Sequence, residues 1–440
     1  MTECNTKLVF GFSKSKRLDA DFTGGDLSSD GGILLFRQID EKLKLLKSFS
    51  EVISDPRNQE RISHTQEELI RQRVMQICAG YEDANDCNSL RKDSAFQMTC
   101  GELGKELGSQ PTMTRLENRM SKKEISACRK FFIGQFIKSF KNAPAEVVLD
   151  IDGWDDPTHG KQQLTMYHGY YGQHMYYPVM INHGGTGFPV VVQLRAGNSH
   201  AGKGVAGILR WLFWRLKKAF PDTVITLRGD GGFSLPEIIK VCERSNVYYV
   251  LGYAKNAVLE RKNADLLEQA RVQSCITGKK SRLFDDVYYA AGSWGIPRRI
   301  IMKAEWLEKG GNQRFLVTNR IESARSLYDN FYVQRAEDSE NRIKELKLGL
   351  KADRLSCHKF ISNQFRLYLH QLAYVLMLEL RKLLVGTRLG RAQVSTLREK
   401  LIKLAVRVRK SARRIWVQFA SSCPVRDILF MLSRKLTAQS

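Results

Sequence analysis

Hydrophobic and polar positions follow different periods along the 440-residue chain, and the change of period divides it into regions. Up to about residue 145, apolar residues recur every three or four positions, which predicts amphipathic helices. From 146 to 253, short apolar runs bounded by glycine-containing turns indicate strands between helices. The last part of the chain returns to helical spacing, and we expect Leu397 to Phe419 to form a basic helix.

The stretch from 146 to 253 has an element order that defines a fold class. Its predicted elements are a strand at Val147–Asp152, a hairpin of Tyr177–Asn182 and Phe188–Leu194, a helix at Gly204–Phe220, a strand at Thr223–Leu227, a helix at Leu235–Arg244 and a strand at Val247–Tyr253. Strand, hairpin, helix, strand, helix, strand is the order of an α/β, ribonuclease H-like mixed sheet with helices on its faces.

The regions around this core complete the expected domain organisation. We expect a helical N-terminal DNA-binding region at 1–145, a first part of the catalytic core at 146–253 and a β-rich insertion at 254–325. The last core helix, at 326–354, carries Glu340, and a basic helical region occupies 355–440. Two helices around a short turn near residues 112–140 permit a helix-turn-helix, and a plain helical bundle is an equal alternative.

Charge is the feature of composition that narrows the function. The net charge is +24, and residues 355–440 hold 17 Lys and Arg against three acidic residues, or +14 of that total. Such a surplus indicates a polyanionic partner, and the sequence-independent way to bind DNA is to neutralise its phosphates. We expect phosphate contacts from Arg407, Arg409, Lys410 and Arg413, although a solvated helix face would show the same pattern.

Leader sequences, membrane spans and cysteine motifs add little. Residues 1–16 lack the apolar core of a signal peptide, and no run of 18 apolar residues occurs. The nine cysteines form no Cys-x-x-Cys pair, which favours reduced thiols over a disulfide framework or a zinc site. We therefore expect a cytoplasmic protein without a membrane partner.

Acidic residues stand at three places where the predicted fold can bring them together. Asp150 and Asp152 alternate on the first strand, so both side chains point to one side of the sheet. Asp230 follows the fourth strand, which neighbours the first in a ribonuclease H-like sheet. Glu340 lies on the last core helix. Oxygen ligands in one cleft suit Mg²⁺ or Mn²⁺, and two such ions can catalyse phosphoryl transfer.

The helix around Glu340 carries further polar residues that suit a site for phosphates. Lys344 and Lys347 follow Glu340 by four and seven positions and share its face, while Tyr332 and Arg335 precede it. We expect these four side chains to contact DNA phosphates. The alternative is a solvated helix laced with ordinary Glu–Lys pairs.

Several stretches resemble one known family, the insertion-sequence DDE transposases described as transposase DDE domain group 1. They are Arg71–Val74, Gly80–Asp86, Gln110–Asn118, Leu149–Asp152, Asp155–Gly160, Leu194–Gly197, Arg228–Phe233, Glu340–Lys347 and Asn363–Arg366. The resemblance implies a bacterial transposase that cuts and joins double-stranded DNA at terminal inverted repeats, as a homodimer on DNA, with about two Mg²⁺ or Mn²⁺ ions.

The same resemblance assigns the metal-binding and catalytic acids. Asp152 matches the first acid, with Asp150 as its competitor, Asp230 matches the second and Glu340 the third. Four residues separate Arg335 from Glu340 where the related pattern has three, which leaves Glu337 as a weaker alternative. Three other functions stay open: a DNA-binding protein that has lost the chemistry, a nuclease or resolvase on the same fold, and a basic RNA-associated protein.

Overall fold

A computed structural model describes residues 8–10, 12, 16 and 18–438, without the side chains of residues 9, 10 and 336–339. Its strands are β1 (Leu8–Phe10), β2 (Leu18–Ala20), β3 (Leu27–Ser28), β4 (Glu146–Gly153), β5 (Asp156–Pro157), β6 (Met166–His168), β7 (Gln173–Tyr176), β8 (Val179–His183), β9 (Pro189–Gln193), β10 (Val224–Gly229), β11 (Tyr248–Tyr253), β12 (Ser281–Tyr289), β13 (Arg298–Leu307), β14 (Gly310–Thr318), β15 (Val406–Lys410) and β16 (Ile415–Phe419).

Helices occur along the whole described chain. They are α1 (Ile33–Leu43), α2 (Leu45–Glu51), α3 (Gln66–Ala79), α4 (Asp86–Leu90), α5 (Ser94–Cys100), α6 (Gln110–Asn118), α7 (Lys122–Lys138), α8 (Val205–Ala219), α9 (Pro236–Arg244), α10 (Ala257–Lys262), α11 (Ala264–Thr277), α12 (Ala324–Ser326), α13 (Val333–Lys344), α14 (Phe360–Leu383), α15 (Val394–Leu397) and α16 (Arg426–Thr437). Wider π-helical turns occupy Leu327–Tyr332, Glu345–Gly349 and Arg398–Ile402.

The main sheet has eight strands in the order β12-β13-β14-β11-β10-β4-β8-β9. Strands β4, β10 and β11 run parallel, while β8 pairs antiparallel with both β4 and β9. The five strands from β9 to β11 therefore have the order and directions of a ribonuclease H-like core, as the sequence predicts. Helix α7 contacts β9 and α8, and α9 contacts α8 and β11, so these helices form a layer on the sheet.

Alternating burial explains why β4 takes its place at the centre of this sheet. Val147, Leu149 and Ile151 are fully buried and project from one face, because side chains alternate along a strand. Asp150, on the other face, is also fully buried. A buried carboxylate in the middle of a sheet requires a charged partner, and this partner is described with the site.

The insertion extends the main sheet instead of forming a separate β structure. The region predicted to be β-rich forms β12, β13 and β14, and β14 pairs antiparallel with β11. Helices α10 and α11 precede them and were not predicted. A small sheet of β5, β7 and β6 between β4 and β8 was not predicted either.

The prediction of one basic helix from Leu397 to Phe419 is wrong. The short helix α15 and its π-helical turn end at Ile402, and an antiparallel hairpin of β15 and β16 follows. Val406 and Val408 are buried while Arg407 and Arg409 are exposed, which is the two-residue period of a strand. Arg407, Arg409, Lys410 and Arg413 therefore lie on a β-hairpin, and β15 also pairs with β3.

The chain divides into two compact units. One comprises 1–50, 55–115 and 379–440, and the other comprises 51–54 and 116–378. The second unit contains the main sheet, its helices and the insertion. These ranges cut across the five regions drawn from the sequence, because 116–145 and 355–378 belong to the unit of the sheet. Among the helices described, none is long and apolar enough to cross a membrane.

Candidate active site

Asp152 and Asp230 lie at the carboxyl ends of two neighbouring parallel strands. Ile151 of β4 is in register with Gly229 of β10, so the two aspartates occupy the next position on each strand. Their carboxylates interact electrostatically, and this interaction contributes to the pKa of Asp152. The main sheet thus brings together two of the three acids that the sequence singles out.

The surroundings of Asp152 disfavour the negative charge of its carboxylate. Its side chain is only 17% exposed, and burial raises the pKa of its carboxyl to about 6, with the charge of Asp230 adding to the shift and Arg335 opposing it. Oδ1 accepts a hydrogen bond from the amide of Gly153 at 2.8 Å, and Oδ2 accepts one from Arg335 at 3.2 Å. These contacts do not compensate for burial, so an added cation would stabilise the charged form.

This raised pKa predicts a pH-dependent stability. The folded protein binds the proton of Asp152 more tightly than the unfolded chain does. The contribution of Asp152 to the free energy of unfolding therefore falls as pH rises from about 4 to about 6. We expect Asp152→Asn to raise the free energy of unfolding at pH 7, without metal, by up to about 3 kcal/mol. Urea unfolding in EDTA at pH 7 and pH 4 measures the effect, which should vanish at pH 4. A destabilised Asp152→Asn protein at pH 7 would contradict the prediction.

Asp150 is bound differently, although it shares a strand face with Asp152. Its two carboxylate oxygens accept hydrogen bonds from Nε and a terminal nitrogen of Arg228 at 2.6 and 2.9 Å. The two residues are register partners on β4 and β10, and both are almost completely buried. Arg228 also donates to the carbonyl of Phe331 at 2.6 Å. Asp150 is thus committed to an internal ion pair.

The turn after β10 presents Asp230 beside a second backbone segment. Oδ1 of Asp230 accepts a hydrogen bond from the amide of Gly232 at 2.9 Å and caps a 3-10 turn at Gly231–Phe233. A side chain on Gly232 would place its Cβ 2.7 Å from that of Ala201. Glycine is therefore required where the loop containing Ala201 packs against this turn.

Arg195 holds that loop in place and was not assigned a role from the sequence. Its Nε donates to the carbonyl of Tyr177 at 3.0 Å, and one terminal nitrogen donates to the carbonyls of His200 and Lys203 at 3.2 and 3.3 Å. The guanidinium lies 5.1 Å from the ring centre of Tyr177, and burial lowers its pKa to about 10. Its place in the Leu194–Gly197 motif was the available signal.

Tyr332 and Arg335 lie over the acid pair, at the start of α13. Besides its bond to Asp152, Arg335 lies 5.6 Å from the ring centre of Tyr332. The Tyr332 hydroxyl is 2.8 Å from where a Cβ on Gly252 of β11 would stand. Both residues were predicted to contact DNA phosphates, and the structure places them at the edge of the sheet where Asp230 lies.

Glu340 does not join the two aspartates. It is exposed, and its five-residue separation from Arg335 turns it by about 140° around a regular α-helix. Among the described residues, no three acidic, histidine or cysteine side chains are close enough to hold one metal ion. The side chain of the alternative, Glu337, lies outside the described residues.

The two lysines that follow Glu340 have different surroundings. Lys344 is exposed, whereas Nζ of Lys347 lies 2.6 Å from a carboxylate oxygen of Asp155. The expectation that Glu340, Lys344 and Lys347 share one face applies to a regular helix, but a π-helical turn begins at Glu345. This wider turn changes the direction of every side chain after it.

The fold and this pair of carboxylates define a class of protein: a ribonuclease H-like protein with acids at the ends of its first and fourth core strands. The family model described as transposase DDE domain group 1 matches residues 10–440. The chain therefore belongs to the DDE transposase family that the sequence motifs indicated.

Comparisons with individual proteins give less. A search of curated proteins finds no match. Among solved structures, a piggyBac transposase synaptic complex with hairpin DNA is similar at 14% sequence identity. The match covers 90% of this chain and 88% of that one, with a TM-score of 0.39.

Proposed function

We propose that this protein is the transposase of a bacterial insertion sequence, which cleaves DNA strands at terminal inverted repeats and joins them to target DNA. The observation that carries the proposal is the Asp152–Asp230 pair at adjacent strand ends. Membership of the DDE transposase family agrees with it. On this proposal the protein acts at the nucleoid and binds double-stranded DNA as a homodimer, with residues 1–145 contributing to DNA binding.

The donor atoms at this pair fit a divalent cation. Mg²⁺ is bound in many phosphoryl-transfer sites by one or two carboxylates together with substrate phosphates and water, and Mn²⁺ has similar preferences. Asp152 and Asp230 supply such carboxylates. When bound, two ions of this kind would activate the attacking oxygen and stabilise the leaving oxygen of an in-line displacement.

The protein's own groups would orient the DNA strand at this place. Arg335 supplies a cation beside Asp152, and the exposed Lys344 supplies another on the same helix. Tyr332 offers a hydroxyl at the sheet edge, and Lys347 becomes available for phosphates if its pair with Asp155 opens. Each of these positive groups suits a phosphate oxygen, which positions the strand without reading its sequence.

We propose Glu340 as the third acid, brought to the pair when DNA and metal bind. A small change in helical winding is sufficient, since π-helical turns lie just before α13, at Leu327–Tyr332, and just after it, at Glu345–Gly349. One more π-helical turn between Arg335 and Glu340 would make the step of five residues from one to the other about one full turn of the helix. Both side chains would then point to the same side. The same turn would accommodate the one residue by which the spacing of Arg335 and Glu340 exceeds that of the related pattern.

The exposed cations of the C-terminal hairpin are proposed as a DNA phosphate surface. We expect alanine at Arg407, Arg409, Lys410 and Arg413 together to weaken duplex binding and to flatten its salt dependence by about 0.9 in log–log slope per lost phosphate contact. Fluorescence anisotropy of a labelled duplex between 50 and ~300 mM salt measures both quantities.

A matched control removes four exposed cations from the insertion instead. These are Arg261, Lys262, Lys279 and Lys309. This control should keep most of the salt slope. An unchanged slope in the hairpin variant, or equal losses in both variants, would place the DNA surface elsewhere.

The direct test of the proposed function is an assay on DNA carrying the element's ends. Cleaved strands and products joined to a target plasmid should form with Mg²⁺ or Mn²⁺ and should not form when EDTA is present from the start. Ca²⁺ serves as a control, because it binds similar oxygen ligands with a looser geometry. Binding of the ends without any cleavage in Mg²⁺ or Mn²⁺ would contradict the proposal and favour a DNA-binding protein without the chemistry.

A further inference from the structure

A tyrosine-rich hairpin lies between the two strands that begin the core. It consists of β6, β7 and the turn at 169–172, and we call residues 166–176 the tyrosine hairpin. Tyr170 is 87% exposed and Tyr167 57% exposed, while Tyr171 is partly covered. Large aromatic rings held at a hairpin tip, outside any hydrophobic core, are typical of a contact surface.

The rings form a connected cluster that runs from the hairpin tip towards the core. Tyr170 and Tyr171 are in edge-to-face contact, with ring centres 5.0 Å apart. Tyr171 is 6.0 Å from Tyr177, and His168 lies 5.0 and 5.5 Å from these two rings. Edge-to-face packing of this kind stiffens the tip, so that the exposed ring of Tyr170 is presented in a defined orientation.

The inner end of this cluster lies beside the acid pair. A Cβ on Gly153, the residue after Asp152, would stand 3.3 Å from the Tyr177 ring. Burial raises the pKa of Tyr171, and the nearby charges of Asp155 and Asp152 add to the shift. The tyrosine hairpin is therefore connected, through the contacts of His168 and Tyr171 with Tyr177, to the place where a DNA strand would be cut.

A depression of about 610 Å³ lies beside the same hairpin. It is lined by Thr158, His159, Gly160, Lys161, Gln162, Thr165 and His174, and no carboxylate is among them. The rings of His174 and Tyr167 are in edge-to-face contact, with their centres 5.7 Å apart. The segment before the hairpin, together with His174 of the hairpin, thus offers hydroxyls, imidazoles and an ammonium group, a combination that suits phosphate oxygens.

We propose that the tyrosine hairpin binds unpaired nucleotides of the DNA strand that enters the acid pair. The rings of Tyr170 and Tyr167 stack on bases, and the depression with Lys161 takes the phosphates between them. The faces of the bases are buried within the stack of duplex DNA. Exposed aromatic rings next to the depression with Lys161 therefore select a strand whose bases are unpaired. This inference rests on the proposed function, because it takes DNA as the substrate of the acid pair.

The test uses the full-length protein in EDTA, so that no strand is cut. Binding is measured by fluorescence anisotropy with a labelled 15-nucleotide oligothymidylate and with a 15-base-pair duplex. We expect Tyr170→Ala to weaken oligothymidylate binding roughly five- to a hundredfold, the range for loss of one stacked base, and to leave duplex binding unchanged. Tyr170→Phe keeps the ring and should bind like the wild type.

A matched control is Tyr288→Ala, since Tyr288 is another exposed tyrosine of the same unit, on β12. It should bind both probes like the wild type, and all variants should unfold at the wild-type temperature. Unchanged oligothymidylate binding by Tyr170→Ala would overturn the proposal. Equal losses for both probes, or an equal loss in Tyr288→Ala, would also overturn it.

The outcomes separate this inference from the proposed function. Oligothymidylate binding in EDTA needs neither metal nor cleavage. If the cleavage assay succeeds while Tyr170→Ala binds normally, the hairpin proposal fails alone. A second readout is 2-aminopurine placed at the centre of the oligonucleotide, whose fluorescence is expected to fall on binding to the wild type through stacking on a tyrosine ring. Retention of that quenching in a Tyr167→Ala, Tyr170→Ala double variant would overturn the proposal as well.

Discussion

We expect Asp230→Ala to abolish Mg²⁺-dependent cleavage of DNA carrying the element's ends, while the protein still binds those ends. The carboxylate is placed by the end of β10 and by its bond to Gly232, so alanine removes the proposed metal-binding group without disturbing the core. Loss of a charge-stabilising interaction worth several kcal/mol lowers the rate at least roughly a thousandfold. Cleavage is followed on labelled DNA by denaturing electrophoresis, and binding by anisotropy.

The control for this prediction is Asp222→Ala. Asp222 is an exposed aspartate just before the other end of β10, so its loss changes the net charge equally and should leave cleavage intact. Asp152→Ala and Glu340→Ala are expected to abolish cleavage as well. The Glu340 variant tests the proposed rearrangement of α13, because Glu340 is exposed in the structure. Full cleavage by Asp230→Ala would contradict the mechanism.

The core of the fold was predictable because each of its elements carries a local signal. Strand β4 alternates buried aliphatic residues with polar ones, and the hairpin of β8 and β9 is marked by a glycine-rich turn. Once the order of the elements is known, the first and fourth strands of this fold are neighbours. The proximity of Asp152 and Asp230 follows from that order and needs no detail of side-chain packing.

The position of Glu340 could not be predicted in the same way. A strand end fixes a side chain to one edge of a sheet, but a helix directs each residue by about 100° from the last. One residue of uncertainty in α13, or one π-helical turn, therefore changes which group reaches the acid pair. Among the side chains of this helix that the structure describes, that of Arg335 contacts Asp152.

The hairpin of β15 and β16 and the small sheet of β5, β6 and β7 were missed for different reasons. In β15 the sequence Val-Arg-Val-Arg alternates with a period of two, which is typical of a strand. The dense run of cations nevertheless favoured the prediction of a helix, because basic helix faces are common. The strands β5, β6 and β7 have two to four residues each, too few to show any period. Their pairing depends on contacts with residues distant along the chain.

The choice between Asp150 and Asp152 was open in the sequence because both lie on one face of β4. Tertiary structure separates them through Arg228, which reaches Asp150 because the two residues are register partners. A fully buried carboxylate that already binds a guanidinium through both oxygens is poorly accessible to a metal ion and its water ligands. We therefore propose a structural role for Asp150 and a catalytic one for Asp152, and this division makes a prediction about stability.

Asp150→Ala destabilises the fold strongly, by roughly 3–5 kcal/mol, because it leaves the charge of Arg228 buried without its partner. The guanidinium is 4% exposed, so water cannot replace the lost carboxylate. Asp152→Ala is expected to cost less, because burial raises the pKa of Asp152 and its charged form already destabilises the fold at pH 7, although the Arg335 side chain that it frees is also largely buried. Urea unfolding in EDTA at pH 7, followed by circular dichroism, measures the difference between the two variants.

A double variant in which both charges are replaced distinguishes the ion pair from packing. Asp150→Leu with Arg228→Met replaces both charges by apolar groups and should recover most of the stability lost in Asp150→Ala, because apolar replacement of a buried pair is often nearly neutral. The carbonyl of Phe331 loses its donor in this variant, so recovery is expected to be incomplete. If Asp150→Ala proved as stable as the wild type while abolishing cleavage, the assignment would reverse, with Asp150 as the first acid and Asp152 as its neighbour.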